Sequence, residues 1–347
     1  MKLKNTVRKF ARLIANAGTY ALACAILIAA LATSVVAQGA KSAAAKPACD
    51  RACLEGIASK YLDAMVAHDP SKAPLAADVK YSQDNVPLKI GQALWATATK
   101  RGKYIHYFAD PELGDVGLIG ILYEEDVAGI FILRLKVVDG KITEAEQFMA
   151  HDPHGAALYE KLGAPEPLWL EPVPADQRET RAALDQAAYM YYEGLALNDG
   201  RGVYSFTKDC RRIEDAVPTT NQPAPTNYGH ADNDVGDFTT MNCTDQYKLG
   251  FLGFTTGCRH RRFLVTDVER GAVLANAYLD FDGTITSAKL TDGRNWKVPP
   301  YFMTPRTNQS NEAYRIEKGS IRLIEMTMYE VPFGIEPAFH TGEGTLP

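Results

Sequence analysis

The sequence predicts an α+β fold in which one unit, a helix followed by antiparallel strands, occurs twice. Residues 50–68 carry apolar side chains at three- and four-residue spacing, which is typical of an amphipathic helix, and residues 179–198 repeat the pattern. A strand hairpin ends each unit, with its turn at Asp139-Gly140 in the first and Lys318-Gly319 in the second. This order predicts a helix laid on a curved antiparallel sheet in each half.

The two units also match residue by residue. When the turn glycines are superposed, Ile142 aligns with Ile321 and Glu146 with Glu325. A length of 347 residues accommodates about two domains. The sequence therefore indicates a tandem repeat of one domain.

The N-terminus has the order of a secretory signal peptide. Residues 1–12 are basic, residues 21–32 form the densest apolar stretch, and small residues end at Ala37. The apolar stretch is shorter than the ~20 residues that a membrane-spanning helix needs. We expect cleavage after Ala37 and export to the periplasm or the exterior, without membrane association afterwards. An uncleaved N-terminal anchor is the alternative.

The charge balance argues against a general nucleic-acid binder. The chain has 37 Lys+Arg and 42 Asp+Glu, a formal net charge of −5, and its first 37 residues contain five of the basic residues and no acidic one. Their removal makes the mature protein more acidic still, which disfavours binding to phosphate backbones. The sequence contains no phosphate loop, dinucleotide fingerprint or zinc-ligand spacing. We therefore expect neither a cofactor nor a metal.

The repeat and the composition together suggest domain boundaries. Four prolines between Gly163 and Pro174 are typical of a stiff linker, on which Trp169 is expected to dock against a domain. We expect two independent domains. The predicted segments are a signal peptide over 1–37, a flexible lead-in over 38–48, a first domain over 49–155, a linker over 156–177 and a second domain over 178–340.

Five cysteines remain after the expected cleavage, and in an oxidising compartment they are disulfide candidates. Cys49 and Cys53 lie four residues apart at the start of the first helix, so their side chains share one face. Cys210 and Cys243 are the preferred second pair, because they would anchor the long polar loop over 219–244. The alternative is that some of these cysteines are small buried hydrophobic residues.

Four stretches of the sequence resemble the SnoaL-like members of the nuclear-transport-factor-2-like superfamily. They are CLEGIASKYLDA at 53–64, LKVVDGKITE at 135–144, RRFLV at 261–265 and YRIEKGSIR at 314–322. The resemblance implies two cone-shaped α+β barrels in tandem, each with a pocket lined by side chains, in a group without an assigned function. The superfamily includes ketosteroid isomerases, polyketide cyclases and dehydratases beside non-enzymatic members, so the fold does not select a function.

The first domain has a group of candidate residues on one predicted strand, 103–110. Alternation places Tyr104 and His106 on one face, and Asp110 follows them. Histidine titrates near neutral pH and tyrosine can stabilise an enolate oxygen. His106 and Asp110 are therefore candidate catalytic residues and Tyr104 a candidate binding residue. The alternative is that His106 is a hydrogen-bonded wall residue and Tyr104 belongs to the core.

The second domain has charged residues on several predicted strands. Arg212 and Glu214 alternate on one strand, and Arg262, Asp280 and Glu325 lie on three others. One hypothesis is that Arg212 and Arg262 hold an anionic or phenolic group, with Asp280 in the same network, and that Glu214 or Glu325 is the base. The alternative is that these charges pair across the sheet and only brace the barrel.

Two classes of function remain open. One is an exported, cofactor-independent lyase, isomerase or dehydratase that acts on a small aromatic or cyclic substrate by general acid–base chemistry. The other is an exported, non-catalytic binding protein for a small apolar or aromatic ligand. In both, the partner is a small molecule and not a nucleic acid, and a homodimer is compatible with either.

Overall fold

In a computed structural model of the protein, residues 49–225 and 238–339 are described. Each half of this part has a long helix packed against a six-stranded sheet, which confirms the predicted α+β class. The expected signal peptide, the whole lead-in and residues 226–237 of the polar loop lie outside the described residues.

Two long helices were predicted, and both are present. Asp50 caps the first by accepting a hydrogen bond from the backbone N–H of Cys53, and Thr180 caps the second in the same way through Ala183. Four shorter helices and four 3-10 turns join them in the described part of the chain. The helices are α1 (Arg51–Val66), α2 (Leu94–Thr97), α3 (Pro153–Leu162), α4 (Pro167–Leu170), α5 (Arg181–Leu197) and α6 (Cys243–Leu249). The 3-10 turns are Pro70–Lys72, Ala175–Gln177, Phe238–Thr240 and Pro300–Met303.

The first half forms one open sheet with the strand order β2-β1-β6-β5-β4-β3. Its strands are β1 (Leu75–Gln83), β2 (Val86–Leu88), β3 (Ala98–Asp110), β4 (Asp115–Glu124), β5 (Val127–Val138) and β6 (Lys141–Ala150). Strand β1 runs parallel to β6, whereas the other neighbours are antiparallel.

The second half repeats this topology with the order β8-β7-β14-β13-β10-β9, and β7 runs parallel to β14. A separate two-stranded ribbon pairs β11 with β12. The strands are β7 (Phe206–Glu214), β8 (Val217–Pro218), β9 (Gly257–Asp267), β10 (Ala272–Phe281), β11 (Ser287–Lys289), β12 (Asn295–Lys297), β13 (Arg306–Glu317) and β14 (Ser320–Val331).

Two details of the expected sheets need correction. Each six-stranded sheet is mixed and not wholly antiparallel, because the strand after the long helix pairs with the last strand of the hairpin series. Among the described residues, no pairing joins the two edges of a sheet, so neither sheet closes into a barrel. Hairpin turns could be predicted because local chemistry sets them, whereas the neighbour of an isolated strand depends on the packing of the whole half.

The two predicted hairpin turns are confirmed. Asp139 and Gly140 have positive φ angles of 49° and 72°, and Lys318 and Gly319 have 52° and 72°. Positive φ at both central residues belongs to the tight turn whose twist matches that of paired strands, and glycine adopts it without strain. Because the two turns are equivalent, β6 of the first half corresponds residue by residue to β14 of the second half.

Both predicted disulfides are confirmed. Cys49 is bonded to Cys53 at the start of α1, with their Cα atoms 5.2 Å apart. Cys210 on β7 is bonded to Cys243, the first residue of α6, with a Cα separation of 6.0 Å. Cys258 is a free thiol.

The two sheets pack face to face through a common apolar core. Ile119, Ile132 and Phe148 of the first half share this core with Leu264 and Leu274 of the second half. The strands of the two halves form separate sheets, and the sheets share this apolar core.

At the contact between the sheets, the backbone of the first half lies close to side chains of the second half. A Cβ atom added at Gly117 would lie 2.6 Å from a Leu274 methyl group, so only glycine fits there without movement of its neighbour. The segment that joins the halves is also docked, since Trp169 is buried against the rings of His106 and Phe108. No helix within residues 49–225 and 238–339 is long and apolar enough to cross a membrane.

Candidate active site

The interior between α5 and the second sheet contains a group of buried polar side chains. Alternation along β13 sends Ser310, Glu312 and Tyr314 toward α5, where Tyr314 belongs to the apolar core of this half. Helix α5 contributes Tyr191 and Tyr192 to the same core. We call the residues that surround Glu312 here the second-half cluster; its members are Tyr191, Tyr192, Arg212, Gln246, Tyr247, Ser310, Glu312 and Tyr314.

Glu312 is the centre of the second-half cluster and is fully buried. Its Oε1 accepts a hydrogen bond of 2.7 Å from Ser310 Oγ. No hydrogen bond of good geometry reaches its Oε2 from the described residues, although the hydroxyls of Tyr191 and Tyr314 lie close enough to lower the pKa of Glu312. Burial raises the pKa of Glu312 to about 7, and nearby hydroxyls and Arg212 offset only part of this effect. The carboxyl group can therefore gain and lose a proton near neutral pH.

Tyrosine rings form one side of the second-half cluster. The Tyr191 ring lies 4.9 Å from that of Tyr314, 5.2 Å from that of Tyr247 and 5.8 Å from that of Tyr192. The hydroxyls of Tyr192, Tyr247 and Tyr314 are buried, and none has a hydrogen bond of good geometry within the described residues. They nevertheless lie near one another, since Tyr192 interacts with Tyr314 and Tyr247 with Tyr191. Burial raises the pKa of each of these three phenols well above its ordinary range, so each remains a neutral donor.

The number of buried polar groups without a hydrogen bond of good geometry is unusual for a protein interior. Most buried polar atoms in native proteins have a hydrogen-bond partner, because an unpaired one costs about 1–3 kcal/mol. Here Glu312 Oε2 and three phenol hydroxyls share one interior without such a partner in the described part of the chain.

Arg212 supports the second-half cluster from β7. Its Nε lies 2.6 Å from Glu214 Oε1 and donates to Thr219 Oγ1 at 3.0 Å, and another guanidinium nitrogen donates to Gln246 Oε1 at 2.6 Å. Burial by itself lowers the pKa of Arg212, but Glu214 and neighbouring tyrosines raise it above its ordinary value. Gln246 and Tyr247 lie on α6, which the disulfide from Cys243 ties to β7.

The first half shows that the fold does not require this polar interior. In the equivalent strand register, Leu133 occupies the position of Glu312, and Leu135 that of Tyr314. Leu62 takes the place of Tyr192 at the same distance from the helix cap. All three leucines belong to the apolar core of the first half. Glu312, Tyr314 and Tyr192 are thus specific to the second half, whereas Tyr191 has a buried equivalent in Tyr61.

Two predicted site residues, Glu325 and Arg262, lie on the opposite face of the second sheet, against the first half. Glu325 Oε1 accepts a 2.8 Å hydrogen bond from the Tyr104 hydroxyl, and Glu325 Oε2 lies 2.8 Å from His106 Nδ1. Arg262 makes a two-pronged contact with Glu146 at 2.6 and 2.7 Å. These groups are almost fully buried between the sheets.

The sequence had grouped several of these residues differently. The hypothetical network of Arg212, Glu214, Arg262 and Asp280 is divided, because Arg212 pairs with Glu214 inside the second half whereas Arg262 faces the first half. Asp280 pairs with Arg259 and accepts a hydrogen bond from Thr307.

The two candidate catalytic residues of the first domain, His106 and Asp110, have different partners. Asp110 pairs with Arg181 at the start of α5, and the ring nitrogen of His106 instead faces Glu325. Alternation did place Tyr104 and His106 on one face, as expected. Both residues contact Glu325 from that face, and this contact joins two halves that are far apart in sequence.

Sequence reasoning missed Glu312, Tyr314, Tyr247 and Gln246 as site residues. A signal was available in the repeat: aligned on the turn glycines, the apolar Leu133 and Leu135 of the first half become Glu312 and Tyr314 in the second. A buried strand position that changes from leucine to glutamate between two copies of one fold indicates a role beyond packing.

Among the comparisons with known proteins, one family model matches part of the chain. Residues 177–328 match a family model described as a domain of unknown function, DUF8021. None of the curated proteins matches the chain.

Three solved structures are similar to parts of the chain. One is a de novo designed protein with a curved β-sheet, at 12% identity and a TM-score of 0.25, covering 33% of this chain and 96% of that chain. Another, from Kribbella flavida DSM 17836, is provisionally described as a ketosteroid isomerase. It has 19% identity and a TM-score of 0.22, and the match covers 28% of this chain and 78% of that chain. AclR from Streptomyces galilaeus is provisionally described as a hydroxylase. It has 12% identity and a TM-score of 0.24, and the match covers 30% of this chain and 93% of that chain.

The buried carboxyl predicts a pH-dependent stability. Because the pKa of Glu312 is raised from its ordinary 4.5 to about 7 in the folded chain, folding becomes less favourable as pH rises between these values. Glu312→Gln removes this titration. The variant should gain up to about 3 kcal/mol relative to the parent between pH 4 and pH 8.

Urea denaturation of both proteins at the two pH values measures this gain, and groups that titrate in both proteins cancel in the difference. A stability difference that is the same at pH 4 and pH 8 would show that Glu312 does not titrate in this range.

Proposed function

We propose that the second half of this exported protein is an acid–base enzyme for a small aromatic or cyclic substrate, with Glu312 as the group that moves the proton. The observation that carries the proposal is a buried carboxyl with a pKa of about 7, whose Oε2 has no hydrogen bond of good geometry within the described residues and which lies beside tyrosine hydroxyls. A general acid or base works best when its pKa is near the working pH. The reaction class is a lyase, isomerase or dehydratase.

The neighbouring side chains supply the other parts of such a reaction. The phenol hydroxyls of Tyr192 and Tyr314 can donate to an oxygen on which negative charge develops when Glu312 removes a proton from the substrate. Tyrosine faces pack well against a flat or cyclic substrate. Arg212, which lies close enough to affect the Glu312 pKa, stabilises the carboxylate form of Glu312 and is itself oriented by Gln246.

Export is part of the proposal and has two supports. The basic, apolar and small-residue order of residues 1–37 is that of a signal peptide. The Cys49–Cys53 and Cys210–Cys243 disulfides are typical of proteins from an oxidising compartment.

A non-catalytic binding protein is the second candidate, and one observation favours it. Within the second-half cluster, Glu312 is the carboxyl group whose pKa is brought near neutrality, while the phenols stay neutral. A single proton-transfer group must then act as both acid and base if the cluster is catalytic. A binding protein needs no second group.

Ligand-induced melting of the full chain tests the proposal, with a panel of phenols, diols, cyclic ketones and aromatic acids. A compound that binds the folded chain at 100 times its Kd adds about 2.7 kcal/mol to the free energy of unfolding. Tyr192→Phe should remove most of the melting shift, because it deletes one hydroxyl of the second-half cluster. Tyr159→Phe is the matched control, since Tyr159 also has a buried unpaired hydroxyl but belongs to the core between the sheets.

The two candidates then separate by turnover. For an enzyme, Glu312→Gln should lower the rate by about 10²–10⁴-fold while the Tyr159→Phe variant keeps the parent rate. A bound compound that is never converted supports the binding protein. Equal loss of the melting shift in Tyr192→Phe and Tyr159→Phe would show that the second-half cluster is not the site.

A further inference from the structure

Arg315 on β13 is a buried arginine whose guanidinium group lacks partners. Only 4% of the residue is exposed, and neither its Nε nor its Nη1 has a hydrogen-bond partner within the residues that the structure describes. Alternation along β13 places Arg315 on the face that carries Ala313, which belongs to the core between the sheets, and away from Glu312. Because arginine stays protonated at neutral pH, a positive charge lies in this interior.

Two of the carboxylates that act on the pKa of Arg315 already have partners. Asp267 pairs with Arg51, and both oxygens of Glu317 accept hydrogen bonds of 3.0 Å from Arg322. Burial lowers the pKa of Arg315, and the carboxylates offset only part of this effect, while Arg322 adds a like charge. A buried charge without a close counter-ion is costly to a fold, so its presence requires an explanation.

The first half shows how the same architecture neutralises a cation at this position. Lys136 is equivalent to Arg315, since each lies four residues before the glycine of its hairpin turn. Lys136 Nζ lies 3.1 Å from Asp115 Oδ2, and Arg134 pairs with Asp115 at 2.9 Å. Arg134 also pairs with Glu144 at 2.7 Å. The strands of the first half therefore supply carboxylates for their own cations.

The second half keeps the cation at this position but has neither carboxylate. In equivalent strand register, Ala272 takes the place of Asp115. Leu323 takes the place of Glu144. Both replacements belong to the apolar core between the sheets. An alanine in the position of an aspartate removes one carboxylate group from the strand neighbour of Arg315.

We propose that Arg315 binds a small carboxylate anion, of the size of formate or acetate, beside Ala272. Acetate is the side chain of aspartate closed by one hydrogen atom, so it replaces the group that Asp115 supplies in the first half. A carboxylate also suits a guanidinium, because planar oxygens accept from its N–H groups. The site lies on the opposite face of the second sheet from the second-half cluster and does not depend on the proposed function.

Glu171 of the segment that joins the halves is the rival counter-ion. It acts on the pKa of Arg315 but is exposed. If the anion is the counter-ion, Glu171→Gln should tighten acetate binding, because a competing carboxylate is removed. A less stable Glu171→Gln protein, together with no acetate response in either protein, would identify Glu171 as the counter-ion and overturn the proposal.

Urea unfolding of the full chain with and without sodium acetate tests the proposal. Acetamide is the uncharged analogue, and sodium chloride is the salt control. We expect an apparent Kd of about 1–10 mM for acetate. At about 100 mM acetate, the equilibrium constant for unfolding should then fall by about 10–100-fold. Acetamide should have no such effect, and sodium chloride should have a smaller one.

Three variants assign the response to this site. Ala272→Asp supplies the carboxylate from the chain, as Asp115 does in the first half, so it should be more stable than the parent in acetate-free buffer and lose the acetate response. Arg315→Met removes the charge, keeps much of the apolar length and should also lose the response. Lys136→Met is the matched control, because the equivalent cation already has Asp115, and it should respond as the parent does.

The remaining outcomes are decisive as well. The absence of an acetate response in the parent overturns the proposal, as does an equal response in the parent and in Arg315→Met. Tyr192→Phe should keep the acetate response, since it alters the second-half cluster on the other face of the sheet. A response that Tyr192→Phe removes and Arg315→Met keeps would assign the anion to the second-half cluster instead.

Discussion

Replacement of Arg262 by alanine should lower the free energy of unfolding by about 3–5 kcal/mol. Arg262 is 6% exposed and makes two hydrogen bonds to Glu146, which is fully buried. Loss of the guanidinium leaves a buried carboxylate between the sheets without its counter-ion, and that is more costly than loss of the contact itself. Urea denaturation with a two-state fit measures the change.

A double variant separates the ion pair from simple packing. Arg262→Met combined with Glu146→Leu removes both charges and keeps much of the volume, so it should recover most of the lost stability. Ligand binding in the second half should be unchanged in this double variant, since Arg262 faces the first half. An Arg262→Ala protein that keeps parental stability but loses ligand affinity would instead restore the binding role that the sequence suggested for Arg262.

Removal of the Cys210–Cys243 disulfide by a double serine substitution should cost about 4 kcal/mol, by the loop-entropy model for a separation of 33 residues. Removal of the Cys49–Cys53 disulfide, with a separation of 4, should cost about half as much in the same model. The second pair is therefore a matched control in the same chain. Thermal and urea unfolding of both double variants give the comparison.

The Cys210–Cys243 disulfide should also affect the ligand site. Cys210 lies two residues before Arg212, and Cys243 opens the helix that carries Gln246 and Tyr247. Without the bond, α6 is held to β7 through Gln246, so ligand affinity should fall together with stability. Loss of affinity in the Cys49–Cys53 variant to the same degree would show that general destabilisation, and not the position of α6, is responsible.

Much of the fold could be predicted because its signals are local. The helix period and the two hairpin turns each depend on a few neighbouring residues. Because the sequence repeats, a helix or hairpin recognised in one half could also be located in the other half. The parallel pairing of β1 with β6 was missed because no turn joins these strands.

The candidate site was harder to predict because it depends on which face of each strand points inward. Alternation suggested that Arg262, Leu264 and Thr266 share a face. In the structure, Val265 pairs with Leu274 and Phe263 with Ala275, so Leu264 is an extra residue in a bulge. Thr266 consequently turns toward α5 and donates to Asp185, while Arg262 faces the first half. A bulge of this kind has no clear mark in the sequence.

The sequence by itself determined the α+β class, the tandem repeat and the Cys49–Cys53 pair, since periodicity, turn chemistry and close cysteine spacing act over short distances. The Cys210–Cys243 pair was the preferred one of several that the sequence left open. Only the tertiary structure decided how the charges are grouped. It placed Glu325 against Tyr104 and His106 between the sheets and gathered Glu312 with tyrosines inside the second half. The physical reason is that a strand exposes two faces, and the burial and partners of a charge depend on which face packs against which neighbour.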